Sequence, residues 1–562
     1  ILIMPQSNKV QLKVVSKSSF PGKMHFNRGT AKVGSLVPIL IDELIPNTTV
    51  DIKQALNVTL PPLASDCFMS VDYCVEAFFV PMRLLYKGFE SWFTQTKDKT
   101  YRGSNDEGDP NYVDIEAEIP RLYITSQSNI YTDGYLGDPH NLFDYFSAFV
   151  TQLGTAGCYL NPLPFVAYSL VWDTWYRNTL VQQSAFANVP RNGFDGVGVN
   201  DMSNPYFALM PHLSFPSTDR TITFDNAGTI GDDDQENAVK FADGVRFWEL
   251  RQRNFGFDYF TNSWPLPQAG QAMTVATDAN GKFTIASLRG ANSLQQWEEK
   301  GLYCPRLIEA CRVRYGSKLS DGVAQRPICL GSGRYNVYSR GVDVTADNAN
   351  TGLGNPFAKT AGAQLSQARA VGTEHIVDHF TAQEPGYLLI LGSLVPKASY
   401  GSGISRLMTR YTSSAGTRAE MADPDLQNSG NQPIYQRELT GRYAGGSSVF
   451  GYTDRFADFM TMRDEIHGLL RDGQSLEAFA LKRDFTGAVT VQQSSAFLQI
   501  PTDFMDGITA TIGDLSNFGY WYEIGFNYKC SMPLQQYSIP SLQNPAYEHG
   551  ETITAHRGGF RF

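Results

Sequence analysis

Charged side chains are scarce in this sequence. Only 18% of the 562 residues are Asp, Glu, Lys or Arg, whereas an ordinary soluble domain has about 25%. Hydrophobic residues make up 42%, which is enough for a sizeable core and excludes a chain that is disordered throughout. Gly (50), Pro (29), Tyr (28) and Phe (35) are abundant instead, and this balance favours strands and turns with much surface buried against something other than water.

Cysteines are few and scattered. The seven are Cys67, Cys74, Cys158, Cys304, Cys311, Cys329 and Cys530. Their number is odd and no Cys-x-x-Cys occurs, which argues against both a disulfide framework and a zinc module. We interpret them as buried free thiols from a reducing compartment.

Long apolar runs are also missing. No run approaches the roughly 18 residues that span a bilayer, so we expect no membrane insertion. Residues 1–5 are too short for the apolar region of a signal peptide. We therefore expect synthesis in the cytoplasm.

Motifs of catalysis and nucleotide binding are absent: there is no G-x-S-x-G, no G-x-x-x-x-G-K-[ST] and no H-E-x-x-H. We therefore predict no enzyme and assign no catalytic, cofactor-binding or metal-binding residue. The nearest approach to a metal site is His375 with His379. On a helix the two rings would share a face and could hold a metal with a carboxylate. The surrounding residues favour a strand, where these positions lie about 13 Å apart and one metal could not bridge them.

Two other short segments resemble a calcium site and a nucleotide site, but neither has the sequence context that such a site requires. The acidic run of Asp232, Asp233, Asp234 and Glu236 does not have the register of an EF-hand loop. A solvated acidic loop is our interpretation, with calcium binding as the alternative. Residues 330–334 form a glycine turn without the strand-to-helix context of a nucleotide site.

Charge is unevenly distributed along the chain. The net charge of −10 excludes a general nucleic-acid coat, because such a coat needs a basic surface. However, no acidic residue precedes Asp42, and the last residues are basic. The candidate DNA-facing residues are Lys9, Lys13, Lys17, Lys23, Arg28, Lys32, Arg557 and Arg561. Solvated tails are the alternative, because runs of charge usually face water.

Hydrophobic periodicity predicts a mainly β protein. Apolar and polar residues alternate over residues 50–60, 71–79 and 520–530, and residues 387–395 predict a further strand. Aromatic residues fall at helical spacing over 85–93 and 165–176, as in core helices. Three stretches are typical of long surface loops: 96–139, 184–253 and 346–373. We find no internal repeat, and predict a β-sandwich closed by its two terminal segments.

Five segments that carry no chemistry are the most informative. They are Phe-Phe-Val-Pro-Met-Arg-Leu-Leu at 78–85, Pro-Phe-Val-Ala-Tyr at 164–168 with Trp-Tyr-Arg-Asn at 175–178, Asp-Tyr-Phe-Thr-Asn-Ser-Trp-Pro-Leu-Pro-Gln at 258–268, Gln-Arg-Pro at 325–327 with Leu-Gly-Ser-Gly at 330–333, and Val-Phe-Gly-Tyr-Thr-Asp-Arg-Phe-Ala at 449–457. In this order they resemble the major capsid proteins of the Microviridae, small single-stranded DNA bacteriophages, and the gokushovirus branch in particular. The resemblance runs from about residue 26 to 533, nearly the whole chain.

The resemblance implies a single eight-stranded viral jelly roll with long loop insertions and a few short helices. It also implies self-assembly into a T=1 icosahedral shell around circular single-stranded DNA, a virion location and no enzymatic activity. We expect a basic N-terminal arm at 1–45 and one capsid domain at 46–562, with surface loops that contact a host receptor, Asp232–Glu236 among them. Because an acidic shell cannot neutralise a genome alone, we expect a small basic DNA-packaging protein as partner, and a pilot protein.

The sequence departs from the branch at one place. In gokushovirus capsid proteins a long variable insertion follows the Trp-Pro-Leu-Pro-Gln type of motif and builds a protrusion at the threefold axis. In this sequence only a short stretch separates Gly270 from Ala286. The extra length lies earlier, at 184–253. Receptor-binding residues therefore cannot be transferred. A lectin-like or carbohydrate-active β-sandwich is the alternative function, and a phage tail or spike protein is a second rival.

Overall fold

A computed structural model describes the chain over residues 17–63, 67–85, 122–126, 141–147, 158–186, 220–224, 241–266, 284–294, 307–343, 364–409, 431–442, 448–509 and 519–534, together with residues 89 and 93. Single or paired residues are left out inside four of these ranges. The architecture below refers to this part of the chain.

Strands dominate the described residues, as the alternating pattern predicts. They are β1 (Ser18–Ala31), β2 (Val37–Leu44), β3 (Thr49–Thr59), β4 (Val71–Pro81), β5 (Leu122–Ser126), β6 (Cys158–Leu160), β7 (Arg220–Phe224), β8 (Ile328–Asp343), β9 (Gln364–Thr381), β10 (Gly386–Pro396), β11 (Asn431–Tyr435), β12 (Val449–Asp454) and β13 (Tyr520–Met532). The helices are short: α1 (Leu142–Tyr145), α2 (Leu163–Val171), α3 (Leu307–Tyr315), α4 (Arg406–Thr409), α5 (Gln436–Thr440), α6 (Ala457–Met460) and α7 (Ser495–Leu498).

Eight strands form one curled antiparallel sheet in the order β1-β13-β3-β9-β8-β4-β10-β2. Strand β8 joins the two halves, because its first part pairs with β4 and its last part, Tyr338 to Asp343, pairs with β9. The first and last strands lie side by side: β1 and β13 pair from Ser18 with Met532 to Ala31 with Tyr520, and β1 is the edge strand of the sheet.

The main core lies on the concave side of this sheet. In β13 every second side chain from Tyr520 to Cys530 is buried, and β3 shows the same alternation with Val50, Ile52, Leu56 and Val58 inward. This period of two is the pattern of a sheet with one buried and one exposed face. We call β1-β13-β3-β9 the first half-sheet and β8-β4-β10-β2 the second.

The second half-sheet is covered on both faces. In β4, Tyr73, Val75 and Phe79 point into the main core, whereas Phe78 and Val80 point into a second cluster with α2. The predicted helix at 165–176 is confirmed as α2 and a π-turn at Trp172–Tyr176. Its Tyr168 is fully buried, donates to the Leu36 carbonyl at 2.7 Å and accepts from the Arg251 amide at 2.8 Å. The aromatic stripe is therefore core.

Two of the predicted loops contain strands. Residues 122–126 (β5) and 220–224 (β7), from the stretches at 96–139 and 184–253, pair in parallel, and β6 adds on the other side of β5. The third stretch, 346–373, overlaps β9, which begins at Gln364. Its Ala and Gly composition predicts a loop, but these small residues are needed in the strand, because a Cβ at Gly372 would collide with the Tyr335 ring.

Two further predictions need correction. Residues 330–334 are not a turn but part of β8, where Gly331 lies so close to β9 that a Cβ would collide with the Ile376 carbonyl oxygen. Residues 18–44, which fall inside the predicted N-terminal arm, form β1 and β2 of the sheet. Only residues 1–16 of that arm lie outside the described residues.

The thiols agree with the interpretation as free cysteines wherever they are described. Cys67, Cys74 and Cys530 are buried, and Cys311 and Cys329 are half-buried. Burial raises the pKa of Cys67 to about 11, so this thiol is protonated and unreactive at neutral pH. Among the described helices, none is long and apolar enough to cross a membrane.

Candidate functional site

The predicted DNA-facing residues that are described lie on or beside β1. Lys17 is exposed and donates from Nζ to Thr49 Oγ1 at 3.2 Å. Arg28 is exposed and forms an ion pair with Glu523 at 2.6 Å. Lys23 lies within β1 opposite Tyr528, and Lys32 follows the strand and is half-buried. Lys9, Lys13, Arg557 and Arg561 lie outside the described residues, as do the predicted host-facing Asp232, Asp233, Asp234 and Glu236.

The histidine pair lies in strand β9, as predicted, but the predicted separation of the two rings is wrong. His375 Nε2 lies 2.7 Å from Asp51 Oδ1, and His379 Nδ1 lies 3.5 Å from Asp51 Oδ2. The cause is an irregular ladder: the pairing of β3 with β9 shifts on both sides of Ile52, and His379 has a left-handed φ of 43°. Such a bulge shortens the path along the strand and turns both rings towards one carboxylate.

The same cluster contains a partial set of cation ligands. One ligand atom each from Asp51, His375 and Asp378 lies within 4.8 Å of the others. These groups also hydrogen-bond with histidine: His375 with Asp51, and His379 with Asp378 at 2.8 Å. We describe the cluster as a carboxylate–imidazole network and assign no metal to it.

We expect the network to show in the titration of His379. The hydrogen bond with Asp378, and then the charge of Asp51, raise the pKa of His379 above its ordinary value of 6.5. The contact is therefore favourable below pH 6.5 and is lost as the pH rises through the raised pKa. In NMR spectra of protein with ¹³C-labelled histidine, Asp378→Asn should lower the pKa of His379.

The control for this titration is Asp503→Asn, which removes an exposed carboxylate in another part of the chain. It should leave the pKa of His379 unchanged. An equal pKa in the Asp378→Asn variant and the unmodified protein would contradict the network.

The five family-like segments meet in space at two joints. At the first joint the Phe78 ring packs against Trp175 and Tyr176, with centroids 5.8 and 6.0 Å apart. Trp175 Nε1 donates to the Pro327 carbonyl at 3.1 Å, and the Arg326 guanidinium lies 4.4 Å from the centroid of a Trp175 ring. Three segments that are far apart in sequence therefore fix the second half-sheet to the layer that covers it.

An ion pair reinforces this joint. Arg253 Nη1 and Nη2 donate to the two carboxylate oxygens of Glu76 at 2.7 and 2.9 Å, and Nη1 also donates to Ser393 Oγ at 2.9 Å. The Tyr176 hydroxyl lies 2.5 Å from Glu76 Oε2. Burial, and then the charge of Glu76, raise the pKa of Tyr176 well above its ordinary value, so that the hydroxyl stays protonated and donates.

The second joint connects the segments at 258–268 and 449–457. Trp264 and Tyr452 exchange two backbone hydrogen bonds, of 2.7 and 2.8 Å. Asp258 Oδ1 accepts from the amides of Phe260 and Thr261, both at 2.8 Å, and Oδ2 accepts from the Tyr400 hydroxyl at 2.6 Å. The carboxylate therefore closes a turn and ties it to a third part of the chain.

Beside this joint lies Arg483, which is buried among aromatic rings. Its guanidinium lies 4.1 Å from the Phe497 centroid and 4.4 Å from that of Phe255, and Nη2 donates to the Phe497 carbonyl at 2.5 Å. Burial lowers the pKa of Arg483. Arg253, Glu76 and Arg483 were not singled out from the sequence, because each is an isolated charge without a motif. Their contacts are structural: they hold loops against the sheet.

Comparison with known proteins gives these joints a context. The family model described as "Capsid protein (F protein)" of phages matches residues 9–542. Capsid protein VP1 of Chlamydia phage 1 is 24% identical over 95% of this chain and 97% of its own length. Capsid protein VP1 of Bdellovibrio phage phiMH2K is 24% identical over 92% and 95%, respectively. That of Spiroplasma virus 4 is 22% identical over 95% and 99%.

The family match covers far more than half of the chain and all five joint-forming segments. The relatives are capsid proteins of Microviridae phages, in agreement with the resemblance in the sequence. The chain therefore belongs to the capsid protein (F protein) family of the Microviridae, as a structural protein of the virion and not an enzyme.

Proposed function

We propose that this chain is the major subunit of a T=1 icosahedral shell that encloses circular single-stranded DNA, and that its eight-stranded sheet is a viral jelly roll. The observation that carries the fold proposal is the strand order β1-β13-β3-β9-β8-β4-β10-β2. In this order the first and last strands, β1 and β13, lie side by side in one half-sheet of four antiparallel strands. Strands that follow each other in sequence, such as β1 and β2 or β3 and β4, lie in different half-sheets, so the connections pass from one half-sheet to the other. That is the arrangement expected of a double-sheet jelly roll.

The two sides of the subunit differ, and the difference suggests which side faces the host. Residues from α1, from α2 and from the stretch at 184–253 cover the outer face of the second half-sheet, among them Phe143, Phe241 and Trp248. The outer face of the first half-sheet carries no such layer among the described residues. We propose that the covered side is the outside of the shell, with the stretch at 184–253 and the part of 346–373 that precedes β9 as the candidates for receptor contact.

The bare side and the two chain ends then belong to the inside of the shell. Ser18 pairs with Met532, so the chain enters β1 and leaves β13 at neighbouring positions, and the basic segments precede and follow these strands in the sequence. These segments are candidates for phosphate contacts without sequence readout. Because the chain carries a net charge of −10, a small basic packaging protein is expected to supply most of the neutralising charge, with a pilot protein as a further partner.

Replacing the arm lysines should affect packaging more than assembly. The variant Lys9→Ala, Lys13→Ala, Lys17→Ala, Lys23→Ala removes four of the predicted DNA-facing charges, so DNA per particle should fall while particle yield changes little. The measurement is the ratio of absorbance at 260 and 280 nm of purified particles. A control with Lys318→Ala and Lys397→Ala should package normally. Equal DNA per particle in all three samples would contradict the DNA-facing role.

Size-exclusion chromatography, mass photometry and negative-stain microscopy test the shell itself. A T=1 shell has about 60 copies, which for a 62.3-kDa chain corresponds to about 3.7 MDa. We expect isometric particles of this mass. A monomer or trimer as the largest species would contradict the proposal.

A further inference from the structure

The outer face of the first half-sheet is exposed and chemically unusual. On β13, Tyr522 and Phe526 point into the core, whereas Trp521 is 42% exposed and Lys529 is exposed. Side chains at directly paired positions of neighbouring strands share a face, so Arg28 opposite Glu523 and Lys53 opposite Asn527 belong to this side too. We call the side formed by Phe26, Arg28, Lys53, Arg369, Trp521 and Lys529 the exposed sheet face.

Aromatic rings lie uncovered on this face. Phe26 is 55% exposed, although it lies within a strand. Its ring lies over Gly525, where a Cβ would be 2.9 Å from the ring, and Arg28 lies 5.6 Å from the ring centroid. The glycine therefore lets the ring rest on the sheet with its other side towards solvent. Trp521 is four residues along β13 from Gly525, about 13 Å away, so the two rings offer separate stacking positions.

The charge of the face differs in sign from that of the whole chain. It carries four cations, Arg28, Lys53, Arg369 and Lys529, and three carboxylates, Asp51, Asp378 and Glu523. Each carboxylate has a cationic or imidazole partner: Glu523 pairs with Arg28, Asp51 with His375, and Asp378 with His379. Lys53 and Lys529 make no ion pair with any described carboxylate. The face thus has an excess of positive charge on a chain whose net charge is −10.

We propose that the exposed sheet face is a binding site for single-stranded DNA, with bases stacked on Phe26 and Trp521 and phosphates held by Lys53, Lys529 and Arg369. Exposed rings beside cations on an antiparallel sheet bind unpaired bases without sequence preference, because every base has a π-face. The inference rests on the proposed packaging function and adds a site to it, formed by paired strands of the sheet rather than by the basic segments before β1 and after β13. A second copy of the chain is the competing occupant.

The test is fluorescence anisotropy of a labelled 30-nucleotide oligo(dT) with the full-length, unassembled subunit at several salt concentrations. Phe26→Ala with Trp521→Ala should weaken binding at least about tenfold, because each lost stack costs about 1–3 kcal/mol, or about 5- to 150-fold. The salt dependence should not change. Trp521→Phe should retain most of the affinity, because it keeps a ring.

Replacement of Lys53 and Lys529 should change the salt dependence of binding, which replacement of the aromatic rings leaves unchanged. Lys53→Ala with Lys529→Ala removes two phosphate contacts, so the slope of log K against log salt concentration should become shallower by about 1.4. The matched control, Phe257→Ala with Lys318→Ala, removes an 85%-exposed ring and an exposed lysine elsewhere and should bind as the unmodified subunit does. If both face variants bind oligo(dT) like the control, the proposal is wrong.

Electron microscopy of the same variants separates this proposal from the shell. Particles from the unmodified chain, together with unchanged oligo(dT) binding by the face variants, would overturn the DNA site and leave the shell intact. Loss of particles with unchanged oligo(dT) binding would make the face an interface between copies, which also overturns the DNA site. Absence of particles from the unmodified chain would contradict the shell, whatever the binding result.

Discussion

Arg253→Ala is expected to lower the free energy of unfolding of the subunit by about 3–5 kcal/mol, because it leaves a largely buried carboxylate without its cation. The side chains of Arg253 and Glu76 are only 15% and 17% exposed. Tyr176 alone cannot replace a bidentate guanidinium. The variant also loses the hydrogen bond to Ser393. The covering layer therefore loses its Arg253 contacts with Glu76 of β4 and Ser393 of β10.

The control for this variant is Arg28→Ala. Arg28 also pairs with a glutamate, but the partners are 69% and 44% exposed, and such surface pairs contribute about 0–1 kcal/mol. Urea unfolding of both variants gives the comparison, and the double variant Glu76→Ala with Arg253→Ala isolates the coupling between the two side chains. Equal destabilisation by Arg253→Ala and Arg28→Ala would contradict the structural role of the ion pair.

Phe260→Ala is the second change with a large expected effect, a loss of about 3–5 kcal/mol from a cavity in a packed core. Phe260 is fully buried. Its ring lies 4.8 Å from that of Tyr400, 5.2 Å from that of Tyr259 and 6.2 Å from that of Phe450. These rings belong to the second joint, so the cavity would loosen the contact between the segments at 258–268 and 449–457.

Phe257 provides a control three residues away. It is 85% exposed, and surface substitutions of this kind usually change stability by less than about 0.5 kcal/mol. Thermal unfolding of Phe257→Ala should resemble that of the unmodified subunit, whereas Phe260→Ala should unfold at a clearly lower temperature. A small effect at Phe260 would contradict the packing role of this ring.

The strands that the sequence predicts best are those with one face in the core. The alternation in β3 and β13 follows from one buried and one exposed side, and both strands lie where the pattern places them. Strand β4 is buried on both faces and was still found, because Pro81 marks its end. The first part of β9 was missed, because its small residues, chosen for the close crossing with β8, have the composition of a loop.

The functional class could be predicted from the order of five motifs, but their contacts could not. Nothing in the sequence indicates that Trp175 bonds to Pro327 or that Trp264 pairs with Tyr452, because these contacts depend on the three-dimensional path of the chain. The separation of His375 and His379 was wrong for a related reason: a bulge changes the geometry of a strand without a composition signal of its own. Isolated buried charges such as Arg253 and Arg483 have no such signal either.

The exposed sheet face shows what a count of charges over the whole chain conceals. A net charge of −10 excludes a uniformly basic surface, yet pairing of β1, β13, β3 and β9 collects Arg28, Lys53, Arg369 and Lys529 on one side. The family-like motifs lie elsewhere, at the joints that hold the covering layer. If the proposed DNA site is right, packing of the covering layer and contact with the genome depend on different sets of residues, and variants can separate them.

A cryo-electron microscopy reconstruction of particles purified with their DNA tests the account most directly, because it shows both the shell and the orientation of the subunit. We predict an icosahedral shell in which the exposed sheet face, with Phe26 and Trp521, lines the interior and adjoins density for nucleic acid, while the insertions at 184–253 lie outside. A particle with this face on its outer surface, or the absence of any closed shell, would contradict the account.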